Sequence, residues 1–393
     1  MENRFEFTEL LLQMINKRKI CVISSSRADY NHLFLLMKGL KVSKNIDFKL
    51  VVTGMHLLKK YGLTYKEIIS DGFKIDAKID NILTECSVNN ILSSMSDQLK
   101  NSGKILDKIS PDIVVLLGDR YDILPIAISC HLKGIPIAHF HGGEVTHGAI
   151  DDGIRHSITK LSDLHFVSNQ DFKRRVKQLG ESTKNIYNIG SLGVLAISST
   201  KKINKNKLLK KFNISGKYIL VALHPETINN NNLAMIQSLS KVLSSLKNHT
   251  ILFTSPNSDP GNKDITNFIN TFIKAHPERS IFIKSAGREI FINLIRYSNF
   301  IIGNSSSCVI EAPALKTPSV LIGNRQGGRP ISSSVFNCKY SSLSIKKAIN
   351  KINDSVNYKI NNSYRGVNSL PKILKILSTK PLHEIKLKKF NDL

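Results

Sequence analysis

The segment from His139 to His156 reads His-Phe-His-Gly-Gly-Glu-Val-Thr-His-Gly-Ala-Ile-Asp-Asp-Gly-Ile-Arg-His. It sets three carboxylates (Glu144, Asp151, Asp152), four histidines and Arg155 around a Gly-Gly turn. A structural loop seldom needs so many titratable groups, whereas a site that moves protons and binds an anion does. The plainer role for Asp151 and Asp152 is to complement the dipole of a helix running on through Ile154. His139 and His147 have no chemistry that the sequence alone assigns.

Other candidates stand where apolar runs end. Ser24-Ser-Ser-Arg27 offers small residues, a helix start with free N–H groups and a guanidinium that could grip a phosphate, or else a simple cap. Gly118-Asp119-Arg120 follows an apolar run with a carboxylate and a cation. His224-Pro-Glu follows another, and suits an acid or an orienting group. Gly303-Asn304-Ser305-Ser306-Ser307 joins hydroxyls to a helix start, the strongest local phosphate signal in the chain. Glu311, about two turns further, would accept hydrogen bonds from ribose hydroxyls. Arg325 and Arg329 in a Gly-rich loop suit a second anion contact or a gate. Pro256-Asn257-Ser-Asp259-Pro-Gly, by itself, reads as a turn.

These residues need elements to hold them. Ile20–Ser24, Phe48–Thr53, Ile113–Leu117 and Pro136–Phe140 are short apolar runs alternating with helical patterns. That is the signature of a parallel sheet covered on both faces. The pattern restarts with Tyr218–Leu223, Thr250–Thr254, Ile281–Ile283, Phe300–Ile302 and Ser319–Ile322. We expect an α/β protein of two doubly wound, Rossmann-like domains with an interdomain cleft, ligands lying beyond the carboxyl ends of the strands. The expected division is an N-terminal extension helix over 1–18, a first domain over 19–197, a second, nucleotide-binding domain over 198–378 and a loosely held basic tail over 379–393.

Composition narrows the function. The net charge is +26, yet the lysines are spread through the chain without interleaved aromatics, so no nucleic-acid partner is expected. A basic chain still suits an anionic small substrate. No apolar run reaches membrane-spanning length, and the start, Met1-Glu-Asn-Arg-Phe-Glu-Phe, is no secretory signal, so a cytoplasmic protein is expected. The five cysteines, Cys21, Cys86, Cys130, Cys308 and Cys338, form no CxxC pair and read as buried thiols. No metal-binding spacing, Walker motif or GxGxxG follows the first strand, and no cofactor or metal is expected.

Taken in order, these motifs resemble the hydrolysing UDP-N-acetylglucosamine 2-epimerases of sialic-acid and related nonulosonic-acid pathways. The resemblance spans about Lys19 to Asn337. It rests on Ser26-Arg-Ala-Asp-Tyr, Val52-Thr-Gly-Met-His56, Gly118-Asp-Arg, Gly142-Gly-Glu-Val-Thr, Ile150-Asp-Asp-Gly-Ile-Arg-His, His224-Pro, Pro256-Asn-Ser-Asp-Pro-Gly, Gly303-Asn-Ser-Ser with Glu311-Ala-Pro, and Arg325-Gln. It implies a GT-B-like fold, a UDP-sugar substrate, a homodimer, and a two-step reaction. Loss of the C2 proton and of UDP gives a glycal, and water then adds to release the 2-epimer. In the simplest case UDP-N-acetylglucosamine yields N-acetylmannosamine. The resemblance assigns Asp119 and Asp151 as catalytic acids and His224 as the catalytic histidine. It assigns Arg27, Arg120, Ser305, Ser306, Glu311 and Arg325 to the nucleotide and places His56 near the sugar. Asp152, Asn257, Asp259 and Asn304 join the expected binding set through their motifs, and Glu144 and His141 the catalytic one.

One position departs from the pattern. Sialic-acid members usually carry a carboxylate just before the Gly-Gly turn, where this chain has His141. Histidine can act as a base near neutral pH but does not replace a carboxylate charge for charge. In this respect the chain resembles the branch that acts on nucleotide-linked diacetylbacillosamine, UDP- or GDP-activated, en route to legionaminic acid. A GT-B glycosyltransferase is a further alternative.

Overall fold

The structure is a computed structural model that describes residues 17–81, 87–147, 149–226, 232–256, 259, 261–284, 286–354, 363–366, 369–386 and 388–392. Residues 1–16 of the expected extension helix, Cys86 and Asn257 lie outside the described residues, and Arg18, placed in that helix, instead begins the first strand.

Two parallel sheets form the frame. The first contains β1 (Arg18–Ser24), β2 (Ile46–Val52), β3 (Ala77–Lys78), β4 (Ile113–Leu117), β5 (Ile137–Phe140), β6 (Leu164–Val167) and β7 (Ile186–Asn188), in the order β3-β2-β1-β4-β5-β6-β7. The second contains β8 (Tyr218–Ala222), β9 (Thr250–Thr254), β10 (Ser280–Ile283), β11 (Phe300–Gly303), β12 (Ser319–Ile322) and β13 (Val335–Cys338), in the order β10-β9-β8-β11-β12-β13. Each order reverses beside its first strand, which opens the crevice of a doubly wound sheet. The central strands are buried on both faces because helices cover both, and all five residues of β4 are buried. Every strand read from the sequence is present. The additional ones are β3, β6, β7 and β13. Among the described residues no helix is long and apolar enough to cross a membrane. Cys21, Cys130, Cys308 and Cys338 are buried and free.

The C-terminal part does not follow the expected boundaries. Helix Ser369–Thr379 leaves the second domain and packs on the first. Ile373 and Leu377 lie in one core with Ile20, Leu33, Leu36 and Leu40. Gly39, on helix Arg27–Val42, lets the two helices approach, since a Cβ there would stand 2.9 Å from Leu374. Removing Leu377 to alanine would cost about 2–5 kcal/mol by the usual cavity penalty. The tail is likewise held: Lys388 donates to the Ser162 carbonyl at 2.6 Å and pairs with Glu181 at 3.0 Å, and Asn391 N–H donates to the Gly180 carbonyl at 2.9 Å. The return crossing touches the outgoing one. Ser191 N–H donates to the Tyr364 carbonyl at 2.8 Å, and a Cβ on Gly190 would lie 2.3 Å from Gly366 N.

Candidate active site

The carboxyl ends of the two sheets face one cavity of about 280 Å³. From the first domain it is lined by Arg27 after β1, Asp119 and Arg120 after β4, His141 and Glu144 after β5, and Asp151 on the next helix. His224 after β8, Ser305, Ser306 and Glu311 after β11, and Arg325 after β12 line it from the second. Eleven of the residues expected from the sequence therefore meet in one place, because each follows a parallel strand at the same edge of its sheet.

Helix Asp151–Leu161 carries the acid–base groups. Asp151 is its first residue and lines the cavity. Arg155, one turn on, is buried and donates to Asp119, to the Glu144 carbonyl at 2.8 Å and to Thr146 Oγ1 at 3.2 Å. Burial alone would raise Asp119, but the guanidinium of Arg155, together with that of Arg329, outweighs it and holds the carboxyl below its usual range. Asp151 goes the other way. Its burial, together with the charges of Asp119 and Asp259, pushes it up to about 7. The two acids thus differ in protonation near neutrality, the arrangement that lets one exchange a proton while the other stays charged.

Burial, with Arg325, Arg120 and Arg27 nearby, lowers His224 well below its usual range, so its imidazole is neutral. Asn304 holds this histidine in place: its side chain accepts from His224 N–H and donates to the His224 carbonyl, both at 2.8 Å. Ser305 caps a single 3-10 turn over Ser306–Cys308, and Glu311 begins a separate short helix, Glu311–Ala314. The continuous helix expected there is replaced by these two pieces. Glu311 is raised mainly by burial.

Ion pairs cross the cleft. Arg120 pairs with Asp259 at 3.2 Å and with its neighbour Asp122 at 3.4 Å, and Arg325 lies 3.8 Å from Asp259. Arg329, from the Gly-rich loop after β12, reaches Glu144 in the first domain. Burial raises Glu144, but Arg329 and His141 together carry it well below the usual range. Ser168 Oγ also donates to Glu144 at 2.8 Å.

Several expected contacts resolve differently. His56 does not line the cavity. It is fully buried between Ser24 Oγ at 2.9 Å and Thr64 Oγ1 at 2.7 Å, supporting the end of β1. Asp152 accepts from Thr146 N–H at 2.8 Å and from Arg155 at 3.1 Å, so it braces the loop outside the cavity. Asp259 and Asn304 likewise support lining residues and are not on the wall. In the turn after β1, the N–H groups of Ser25 and Ser26 are not offered to a phosphate, because the Asp29 carboxylate accepts from them at 2.6 and 2.7 Å. Arg27 remains on the wall and donates across the cleft to the Lys284 carbonyl at 2.9 Å. His139 joins two parts of the site. Its Nε2 lies 2.7 Å from the Gly118 carbonyl and its Nδ1 3.2 Å from Thr159, which ties the Asp119 turn to the Asp151 helix.

Sequence reasoning passed over His32 and Asp122, and counted Arg155 in its segment without giving it a role. Arg155 had a readable signal, since it lies four residues after Asp151 and so on the same helix face. For His32, on the wall 4.0 Å from Glu311, and for Asp122, the signal is only spatial.

Comparison with known proteins identifies the family. Residues 38–378 match the family model described as UDP-N-acetylglucosamine 2-epimerase. A GDP/UDP-N,N'-diacetylbacillosamine 2-epimerase (hydrolyzing) of Campylobacter jejuni is 37% identical over 84% of this chain and 86% of its own length. Polysialic acid biosynthesis protein P7 of Escherichia coli is 37% identical over 92% of this chain and 93% of its own. The crystal structure of UDP-GlcNAc 2-epimerase from Neisseria meningitidis bound to UDP-GlcNAc superposes with a TM-score of 0.77 at 15% identity, covering 91% of this chain and 99% of that one. Its likeness shows the fold, and the matching family model and the two relatives show that the chain belongs to the UDP-N-acetylglucosamine 2-epimerase family.

Proposed function

We propose that the protein is a hydrolysing 2-epimerase that converts UDP-N-acetylglucosamine and water to UDP and N-acetylmannosamine. The observation that carries this reading is the pair Asp119 and Asp151 on one wall of an arginine-lined cavity, Asp119 held low beside Arg155 and Asp151 raised by burial to about 7. Asp151, with its proton affinity near neutrality, suits removal of the proton at C2. As that C–H bond breaks, its electron pair forms the C1–C2 double bond, and the C1–O bond gives its pair to UDP. Arg27, Arg120, Arg325 and the hydroxyls of Ser305 and Ser306 meet the negative charge that builds on the leaving diphosphate. Neutral His224 can donate a hydrogen bond to the same oxygens. Glu311 faces the nucleoside and accepts from its hydroxyls. Water then adds its hydroxyl to C1 and a proton to C2 from the opposite face. No step calls for a redox cofactor. The test is mass spectrometry of the products in deuterium oxide: UDP release with one solvent deuterium at C2 of the free sugar supports the reading, and intact donor after long incubation removes it.

A second reading has its own support. The Campylobacter jejuni relative acts, by its name, on a diacetylbacillosamine nucleotide, and this chain has His141 where sialic-acid members usually hold a carboxylate. A nucleotide-linked diacetylbacillosamine undergoes the same bond changes. The two readings separate by kcat/KM on the candidate donors. We also propose a homodimer in the cytoplasm: Val88, Leu92 and Leu99 stand exposed on one face of helix Val88–Ile109, apolar surface that a second copy could cover.

A further inference from the structure

His141 stands where a catalytic acid is expected, and it lines the cavity, yet both of its ring nitrogens are engaged by protein groups. Leu192 N–H, at the start of helix Leu192–Ser199, donates to Nε2 at 3.2 Å. A backbone N–H can only donate, so Nε2 is the acceptor and the ring proton sits on Nδ1. Nδ1 faces Glu144 Oε1 at 3.3 Å. A base at C2 needs an unoccupied lone pair aimed at the sugar, and neither nitrogen has one. The backbone is shaped for this placement: His141 has φ of 65°, in the left-handed region that non-glycine residues seldom adopt, while its own N–H bonds the Phe166 carbonyl at 2.9 Å.

We propose that His141 takes no proton from the substrate and is instead a positioning residue. It anchors Glu144 to the start of helix Leu192–Ser199 and, through Glu144, fixes where Arg329 of the second domain meets the first. This rests on the C2-deprotonation reading of the site and assigns its base. Of the acids on the first-domain wall, Glu144 is occupied by Arg329, Ser168 and His141, Asp119 by Arg155, and Asp29 by the N–H and hydroxyl groups of Ser25 and Ser26. Asp151 is left to take the C2 proton. Glutamine at position 141 can reproduce both bonds, its amide oxygen accepting from Leu192 N–H and its NH2 group donating to Glu144. It cannot act as a base.

The experiment compares wild type, His141→Ala and His141→Gln for kcat, KM, UDP affinity and deuterium entry at C2. Long-range proton–nitrogen NMR of histidine-labelled wild type reads the ring tautomer. His141→Ala is expected to raise KM about tenfold, with kcat reduced less. His141→Gln is expected to restore KM to within a few-fold and to keep the wild-type pH profile. The NMR is expected to show a protonated Nδ1 and an unprotonated Nε2. Loss of C2 exchange by a hundredfold or more in His141→Gln with UDP affinity intact would overturn the proposal, as would a proton on Nε2 in the wild type. The tautomer is read without turnover, so it tests His141 even if the wild type were to release no UDP, a result that would instead sink the functional reading.

Discussion

Asp151 is buried beside the carboxylate of Asp119, which Arg155 keeps ionised, and it therefore holds its proton up to about pH 7. Turnover should rise with pH through that value, because the base must be ionised to accept the C2 proton. Asp119→Asn removes one of the charges that raise Asp151, so the acid limb of the kcat/KM profile should move to lower pH in whatever activity remains. A limb that stays in place would show that the two acids are not coupled.

Asp119→Asn and Asp151→Asn should each lower turnover by roughly a hundredfold or more. UDP binding should persist in both, since the arginines and serines that meet the diphosphate are untouched. Calorimetry with UDP beside a product assay separates the two effects, and near-normal turnover in both variants would reject the assignment.

The same raised carboxyl has a stability consequence. In the folded state Asp151 titrates above the ordinary aspartate range, so the native protein binds more protons than the unfolded chain between about pH 4 and 7. Its contribution to stability falls as pH rises through that window. Asp151→Asn, which cannot ionise, should therefore raise Tm at pH 8 and do so by less at pH 5. Thermal unfolding of the ligand-free protein at both values checks this. An equal change at the two would show that the ionisation carries no such cost.

Arg120→Ala should weaken UDP binding about tenfold or more, because it removes a guanidinium from the wall and leaves Asp122 and Asp259 without its charge. Isothermal titration with UDP measures it directly, and unchanged affinity would place the diphosphate elsewhere.

Arg329→Gln leaves the buried Glu144 carboxylate without its guanidinium. It should cost about 3 kcal/mol in urea unfolding, the low end for breaking a buried pair, because Ser168 and His141 remain. The double variant with Glu144→Gln should recover part of that loss. Strict additivity of the two single changes would show that the pair does not interact.

The sequence made the strand-end residues legible because position in a doubly wound sheet is itself information. A polar cluster after an apolar run such as Ile113–Leu117 must lie at the crevice edge. Direction within that edge was not legible. His56, Asp152, Asp259 and Asn304 have the right types at the right places but turn toward neighbouring protein groups. Asp29 shows the same gap: its short side chain folds back onto the N–H groups of its own turn. The edge strand β3 escaped notice for a different reason. Ala77–Lys78 is two residues long and leaves no periodic pattern to read. The packing of Leu370–Leu377 against the first domain could not be read either, since an amphipathic helix announces that it has a partner but not which one.

Among the described residues, the outgoing and returning segments between the domains lie against each other where Ser191 meets Tyr364 and Gly190 meets Gly366. Two tethers at one point leave the domains little freedom to slide or separate, but they permit rotation about that point. A change in cleft width is then a swing about a pivot built from two glycines, and the Arg329–Glu144 pair lies beside it, since His141 ties Glu144 to Leu192 next to Ser191. A side chain added at Gly190 would jam the pivot without touching a single group on the cavity wall.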